Sequence, residues 1–486
     1  MLGGGVILAA EGLDRGSSPL SGNTYDNDVG AGQESHVPGA IAYITTRYPA
    51  MSHTFILHEV NALRDRGVDV HTVSICEATG EHLLSGDNRQ AFQSTYAIRP
   101  PRWQEVLGAH THALLRNPRA YLATLGHSLR MARPGLRGRL WQVFYFAEAI
   151  MLWSHCTKLG ARHVHAHHGS PPADVSLLAT HFGELSGIGP STWSMTMHGP
   201  TEFWNTRWFR LPEKIEQAHG VVCISDFARS QVMALVDEKH WAKLEVVHCG
   251  LIPERYRGIS APRAPRPQIL SVGRLVPDKG HAVLIKAHAA LCRSGYDVDL
   301  VLVGSGPGRA GLERLAAQLG VVNSVIFTGP VGQDEIKQYY TVASLFCSSS
   351  FSEGVPGVLM EAMACGCPVV ATAIAGVREL VHDGETGLIV SPGRVDELAQ
   401  AIARLLDDSQ LHQELSDQGR QYVEREFNIR RSAIELELFF QRMLGVAEGS
   451  DVSDLPLVKG PLLGSPSQSV PAVDVVDLAT EVSATP

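Results

Sequence analysis

The sequence predicts an α/β protein made of two Rossmann-like, doubly wound domains. Three observations carry this: apolar strands and amphipathic helices alternate from about residue 39 to residue 250, a linker rich in Pro and Arg follows (YRGISAPRAPRPQ, 256–268), and a second alternating series starts at ILSVGRL. Strand and helix alternating through short turns is the pattern of a parallel sheet covered by helices. A chain of 486 residues is long enough for two such cores. The expected division is one domain at 37–255, a linker at 256–268, a second domain at 269–427 and a last helix at 428–445. The ends, 1–36 and 446–486, lack periodicity and are rich in small and polar residues, so both are expected to be disordered. The short apolar run near the N-terminus has no basic leader and makes a poor secretory signal.

In the first series GAIAYITTRY (39–48) is an apolar strand, HTFILHEVNALRDRG (53–67) has helical periodicity and stops at Gly67, and VDVHTVSI (68–75) is a second strand. HVHAHH (163–168), the helix ADVSLLATHFGELSG, TWSMTMHG (192–199), HGVVCIS (219–225) and KLEVVHCG (243–250) continue the alternation. The second series runs ILSVGRL, the helix HAVLIKAHAALCRSG, VDLVLVGSGP, the helix AGLERLAAQLG, VIFTGPV, the helix DEIKQYYTVA, SLFCSSS, and then a helix opening near Pro356. Its strand ends deliver VGR, VGSGPG, TGPV and FSEGVP to one edge, the edge at which open parallel sheets bind ligands. Taken alone, GSGPG is a weak signal, since glycine after a strand commonly marks only a turn.

Composition narrows the class. With 44% hydrophobic and 19% charged residues the chain is globular rather than fibrous, and a net charge of −9 argues against nucleic acid as a general partner. The eight cysteines form no CxxC pair, which points away from a zinc site or a disulfide framework and toward a reducing cytoplasm. The apolar stretch VFYFAEAIMLW (143–153) contains Glu148 and is shorter than the roughly 18–20 residues a bilayer requires, so any membrane contact would be peripheral. One region is strongly basic: Arg99, Arg102, Arg116, Arg119, Arg130, Arg133, Arg137 and Arg139 stand against the single acid Glu105, with Trp and Leu interleaved. That segment fits either a surface for anionic lipid head groups or a solvated helical face whose apolar side packs on the core.

The densest chemistry lies in SEGVPGVLMEAMACGCPVVAT (352–372), where Glu353 and Glu361 flank a Gly/Pro turn that opens a helix. Gly354 breaks the preceding strand and Pro356 suits a first helical turn. The free amides of Gly357 and Val358 would then point at a diphosphate, whose charge the helix dipole favours. Glu361, about two turns beyond Glu353, would reach ribose hydroxyls while Glu353 faces a sugar beyond the phosphates. In VGRLVPDKG, Gly273 ends a strand and Arg274 and Lys279 follow it, a fork and a mobile point charge suited to a departing diphosphate.

At these residues the chain resembles the family 4 glycosyltransferases, retaining enzymes of the GT-B fold. Their signature is a Glu, a Gly/Pro turn, a second Glu eight positions on and an EAMA.G.PVVA run, preceded by a G-R-x-x-x-x-K-G pattern that Gly273–Gly280 matches. The resemblance spans about residues 40–440. Within that family TRYPAMSHTFILHEVNALRDRG, VHAHHG, MTMHGPTEF and VVHCG are similar to the colanic-acid type of exopolysaccharide transferase, except that His53 stands where that group has Glu. This departure bears on the acceptor, for which Ser52 and Thr54 remain as hydroxyl donors.

The resemblance implies an acceptor domain (37–255) and a nucleotide-sugar domain (269–427) facing an interdomain cleft, with the 428–445 helix returning to the first domain. It implies His198, Glu353, Arg274 and Lys279 as catalytic. Donor contacts would come from Gly273, Arg274, Lys279, Gly304, Val331, Glu353, Gly354, Val355, Gly357, Val358 and Glu361. His165, His167 and His168 are expected to line the pocket near the acceptor rather than to hold a metal. No metal and no cofactor are implied; the nucleoside-diphosphate sugar, UDP- or GDP-linked, is a substrate. The acceptor would be a saccharide or lipid-linked saccharide, handled at the cytoplasmic face of the inner membrane during exopolysaccharide or cell-envelope synthesis. Two other readings stay open: a transferase for a small soluble acceptor, and a non-catalytic sugar-nucleotide-binding partner.

Overall fold

The computed structural model describes residues 37–50, 54–83, 85–257, 264–333 and 335–445. The disordered ends expected at 1–36 and 446–486, and the loop residues Ser52 and His53, lie outside the described residues.

The first sheet has seven parallel strands, β1 (Ile41–Arg47), β2 (Val70–Cys76), β3 (Tyr96–Arg99), β4 (His163–His167), β5 (Thr192–Met197), β6 (Gly220–Cys223) and β7 (Leu244–Val246), in the order β3-β2-β1-β4-β5-β6-β7. Ile41 is in register with Val70 on one side and His163 on the other. The strand order reverses between β1 and β4, which makes that gap a natural binding crevice. The second sheet has six, β8 (Gln268–Val272), β9 (Asp299–Val303), β10 (Val325–Gly329), β11 (Leu345–Ser348), β12 (Val369–Thr372) and β13 (Leu388–Val390), also parallel, in the order β10-β9-β8-β11-β12-β13. Its reversal lies between β8 and β11, the strands that precede Arg274 and Glu353.

Between β2 and β4 the structure adds what the sequence pattern did not resolve: β3 and the helices Gly86–Gln93, Trp103–Arg116, Pro118–Arg130 and Leu136–Leu159. Two of these helices, Trp103–Arg116 and Pro118–Arg130, evade pattern reading because they pack through small side chains. Ala109, Ala113, Ala120, Thr124 and Ser128 are buried, whereas Trp103 (82% exposed), Leu115 (84%) and Leu136 (78%) face outward. The apolar stretch 143–153 belongs to the second half of the 24-residue helix Leu136–Leu159, where Phe146 and Ala149–Trp153 are buried. Its Glu148 pairs with Arg99 (Nε–Oε1 3.0 Å); burial pushes the carboxyl up to about 7 and the guanidinium opposes that. Arg99 is thereby removed from the set of cations free to meet an outside partner.

Two crossings join the domains side by side. The amide of Leu251 donates to the carbonyl of Phe427, and that of Ile429 to the carbonyl of Leu251, both within 2.9 Å. Leu251 and Tyr256 are already buried with the second core, so the crossover begins ahead of the Pro/Arg-rich segment. The last helix, Ile429–Met443, lies on the first domain: Phe439 and Phe440 share a core with Tyr43, Val60 and Leu63, and Arg66 pairs with Glu437 at 2.6 Å. A side chain at Gly220 would stand 2.6 Å from the Phe439 ring, so this packing requires glycine there.

Candidate active site

On the second domain, the chain leaves β8 through Gly273 and Arg274 and reaches Lys279, whose aliphatic stem lies over Gly273. Lys279 Nζ pairs with Glu353 Oε1 at 2.5 Å, and Ser350 Oγ donates to the same oxygen at 2.7 Å. Both side chains are largely covered (20% and 11% exposed), so the pair is better insulated than a surface ion pair. The cation expected at the phosphates is thus paired with the carboxylate expected to face the sugar. Arg274 is exposed, and its guanidinium makes no ion pair among the described residues.

The helix that follows, Gly357–Ala364, is preceded by Pro356, which sits just outside it in extended conformation rather than in its first turn. Gly357 and Val358 are therefore the first two helical residues. Val331, Val355 and Val358 are partly buried on the second core. Glu361 accepts from Tyr340 Oη (2.8 Å) and Gln333 Nε2 (3.0 Å). Burial raises its pKa, and these hydrogen bonds oppose the rise. Glu353 and Glu361 thus flank the helix start without sharing a partner. Gly304 has φ +139, and a Cβ there would come within 2.0 Å of the Gly273 carbonyl oxygen. Its place in the site is to let two strand ends close up.

On the first domain His198 follows β5. Its amide donates to Glu202 Oε2 (2.6 Å), and Glu202 Oε1 accepts from the amide of Gly169 (2.7 Å). Burial would raise the Glu202 pKa, but hydrogen bonds from His168 and from these amides outweigh it and hold the carboxyl below its ordinary value. Glu202 therefore ties the ends of β4 and β5 together. The His198 ring meets His167 (Nε2 to Nδ1, 2.8 Å), Phe55 (ring centroids 4.8 Å) and Cys249 (Sγ to Nδ1, 3.9 Å).

The histidines of β4 do not line the cleft as expected. His163 and His165 are fully buried with both ring nitrogens bonded to Thr192, Ser194 and Thr196, and His167 is buried beneath His198. Strand alternation puts all three on the same face, and that face is covered by the last helix through Phe440, which the local sequence does not reveal. His168, which follows the strand with φ 73, is only partly buried. Ligand atoms of Glu59, His165 and His167 lie within 4.8 Å of one another, but the His165 nitrogens are already held by hydroxyls.

The domains meet through backbone at this point. A Cβ on Gly354 would stand 2.3 Å from the His198 carbonyl oxygen across the domains, and within the second domain one on Gly376 would stand 2.8 Å from the Gly354 carbonyl oxygen. Nearby, both Glu379 oxygens accept from the amides of Asp226 and Phe227 at 2.8 Å, so an acid of one domain caps a helix of the other. An open cavity of about 480 Å³ lies alongside, lined from the first domain by Pro200, Trp204 and Phe227 and from the second by Asp278, Phe351 and Ile374, among others.

Residues 254–422 match the family model described as Glycosyl transferases group 1. The second domain is a group 1 glycosyltransferase domain. The match contains Arg274, Lys279, Glu353 and Glu361. Over 416 residues the chain is 29% identical to a protein of Escherichia coli (strain K12) described as a colanic acid biosynthesis glycosyltransferase, WcaL, covering 80% of this chain and 96% of that one. Over 219 residues it is 33% identical to a GDP-mannose-dependent alpha-(1-6)-phosphatidylinositol monomannoside mannosyltransferase of Mycobacterium tuberculosis (strain ATCC 25618 / H37Rv), covering 42% of this chain and 56% of that one. Matches of this second kind span 39% to 56% of the curated relatives' own length. In fold, the chain is similar to Anabaena Alr3699/HepE crystallised with UDP (TM-score 0.63, 17% identity, 83% of this chain and 100% of that one). The two facing Rossmann-like domains, the second of them the group 1 domain, form a GT-B architecture.

Proposed function

We propose that the protein is a retaining, metal-independent glycosyltransferase that moves a hexose from a UDP- or GDP-linked donor to a hydroxyl of a lipid-linked saccharide. The observation that carries this reading is the Lys279–Glu353 pair at the start of the helix Gly357–Ala364, set against the His198 carbonyl across Gly354. A donor diphosphate seated on the helix amides would draw Lys279 and Arg274 to itself and free Glu353 to orient the sugar. The leaving diphosphate, stabilised by both cations, would take the acceptor proton as the acceptor attacks from the same face. Closure of the domains would keep water from the donor.

The donor alternatives are supported by the names of the relatives, one GDP-mannose-dependent and one crystallised with UDP. Binding and turnover of a panel of UDP-, GDP- and ADP-sugars with EDTA present, with Glu361→Ala as control, test the reading. The expected outcome is Glu361-dependent selection of one donor without added metal. Failure to bind any of them would leave the transferase reading without support.

The lipid-linked acceptor and a place at the cytoplasmic face of the membrane are supported by the helices Trp103–Arg116, Pro118–Arg130 and Leu136–Leu159. They expose Trp103, Leu107, Leu115, Leu122, Leu136 and Phe144 beside Arg102, Arg116, Arg119, Arg137 and Arg139. Large apolar residues interleaved with arginines suit an anionic interface. No helix among the described residues is long and apolar enough to cross a membrane. Co-sedimentation with vesicles containing an anionic lipid should be strong at low salt and fall steeply at about one molar salt, where the screening length is roughly 3 Å. Leu115→Asp with Leu136→Asp should abolish it. Equal recovery in the supernatant with and without vesicles would favour a small soluble acceptor.

A further inference from the structure

Glu361 is the one charged residue of the helix Gly357–Ala364, and three separate segments converge on its carboxyl group. Tyr340, on the helix Ile336–Val342, donates from Oη to Oε2 at 2.8 Å, and Gln333, in the turn after β10, donates from Nε2 to Oε1 at 3.0 Å. Each oxygen therefore already holds one donor from this chain. Tyr256, buried at the end of the short turn Pro253–Tyr256, brings its hydroxyl beside both Glu361 and Gln333. The nearby cation is Lys337, whose Nζ stands 5.7 Å over the Tyr256 ring.

The two direct donors differ in how firmly they are held. Tyr340 is 1% exposed and packs on Phe346 (ring centroids 5.8 Å) in the second core. Burial and the neighbouring Glu361 both raise its phenol well above the ordinary value, so it keeps its proton and donates. Gln333 lies outside any helix or strand and is partly exposed, as is Glu361 itself. Its amide keeps Oε1 paired while the site is empty. Displacing it with a ligand hydroxyl exchanges one hydrogen bond to the carboxyl group for another, which costs little, whereas removing it without replacement leaves an acceptor unpaired.

We propose that Gln333 holds the place of a ribose hydroxyl on Glu361 and that Tyr340 is the positioning residue that fixes the carboxyl group to receive it. Together they set the preference of the site for a ribonucleotide over its deoxy form. The inference rests on the nucleotide-sugar reading of the second domain. When the nucleotide enters, Oε1 passes from the Gln333 amide to the ribose, while Oε2 stays on Tyr340 and the carboxyl group cannot turn away. Both residues act on binding of the nucleotide and not at the reacting centre, so their effects belong in affinity and donor KM rather than in kcat.

The test is calorimetric titration of the full chain with UDP, with GDP and with the 2′,3′-dideoxy form of each. The wild type should bind one ribonucleoside diphosphate about tenfold or more tighter than its dideoxy form, the loss expected when a hydroxyl bonded to a carboxylate is removed. Glu361→Ala should erase that preference. Tyr340→Phe should cut it to less than about threefold with the dideoxy affinity unchanged, which a general loosening of the fold would not do. Gln333→Ala, a change in a partly exposed turn, should tighten the ribo form about two- to fivefold and leave the dideoxy form as it was. In turnover the donor KM of each variant should move with its affinity, with kcat within about threefold of wild type. Weaker ribonucleotide binding by Gln333→Ala would overturn the place-holding role, and an unchanged ribo-to-dideoxy ratio in Tyr340→Phe would overturn the positioning role. Binding by the wild type without a ribo preference would remove this inference alone; no binding of any nucleoside diphosphate would remove the nucleotide-sugar reading with it.

Discussion

Lys279→Ala should lower kcat by about 10²- to 10³-fold, the loss typical of removing one preorganised charge from a developing anion. Lys279 lies across the end of β8 and reaches Glu353 in the loop after β11, so it spans the reversal point of the second sheet. Its removal does two things at once. It takes away a cation from the place where the donor diphosphate would leave, and it strips Glu353, only 11% exposed, of its counter-charge. The second effect makes the repulsion between Glu353 and the donor phosphates unscreened, so donor KM should rise as well. Lys279→Arg should recover only part of the rate, because a planar fork cannot occupy the position of a point charge already bonded to one carboxylate oxygen. Single-turnover kinetics with the selected donor, beside a melting curve, provide the check. A loss of less than tenfold in a folded variant would show that Lys279 does not act on the leaving group.

Gly354→Ala should lower kcat by about 100-fold while nucleoside-diphosphate affinity stays within about threefold, because misplacement of about 1 Å at the reacting centre costs that much. The added methyl carbon would stand 2.3 Å from the His198 carbonyl oxygen and 3.2 Å from Ile224 Cδ1. The nearer neighbour is backbone and cannot swing aside, so the domains themselves must separate. Diphosphate binding, proposed to lie wholly on the second domain, would not sense this. The result also discriminates between two roles for Gly354. If the glycine served only to admit donor phosphates, nucleotide affinity would fall first and kcat would follow it. Calorimetry with the free diphosphate and steady-state kinetics on the same preparation decide between them, and an unchanged kcat would mean that the reaction does not need this approach of the two domains.

Both results depend on contacts that a linear pattern records unequally. Glu353, Glu361, Arg274 and Lys279 were legible because a helix start after a strand and two cations after another strand are local arrangements. Local geometry fixes where such amides and side chains emerge, whatever the rest of the chain does. The alternation of strands and helices was legible for the same reason, as was the last helix. What escaped was decided by neighbours distant in sequence. Glu59 reads as one acid on a helix until the fold brings Tyr43 and His167 against it. A signal existed, since it sits among Ile56, Leu57, Val60 and Leu63. Glu379 carries no such signal, because its partners are the amides of Asp226 and Phe227 on the other domain.

The sequence by itself determined the two Rossmann-like domains, their order and the carboxylates and cations at one sheet edge, since periodicity, glycine placement and charge act over a few residues. Tertiary structure alone decided that Lys279 closes onto Glu353, that β4 turns its histidines into a core covered by Phe440, and that Gly354 lies against the His198 carbonyl of the other domain. These depend on distances between segments tens to hundreds of residues apart, which are set by packing two cores and a returning helix together rather than by any local preference of the chain.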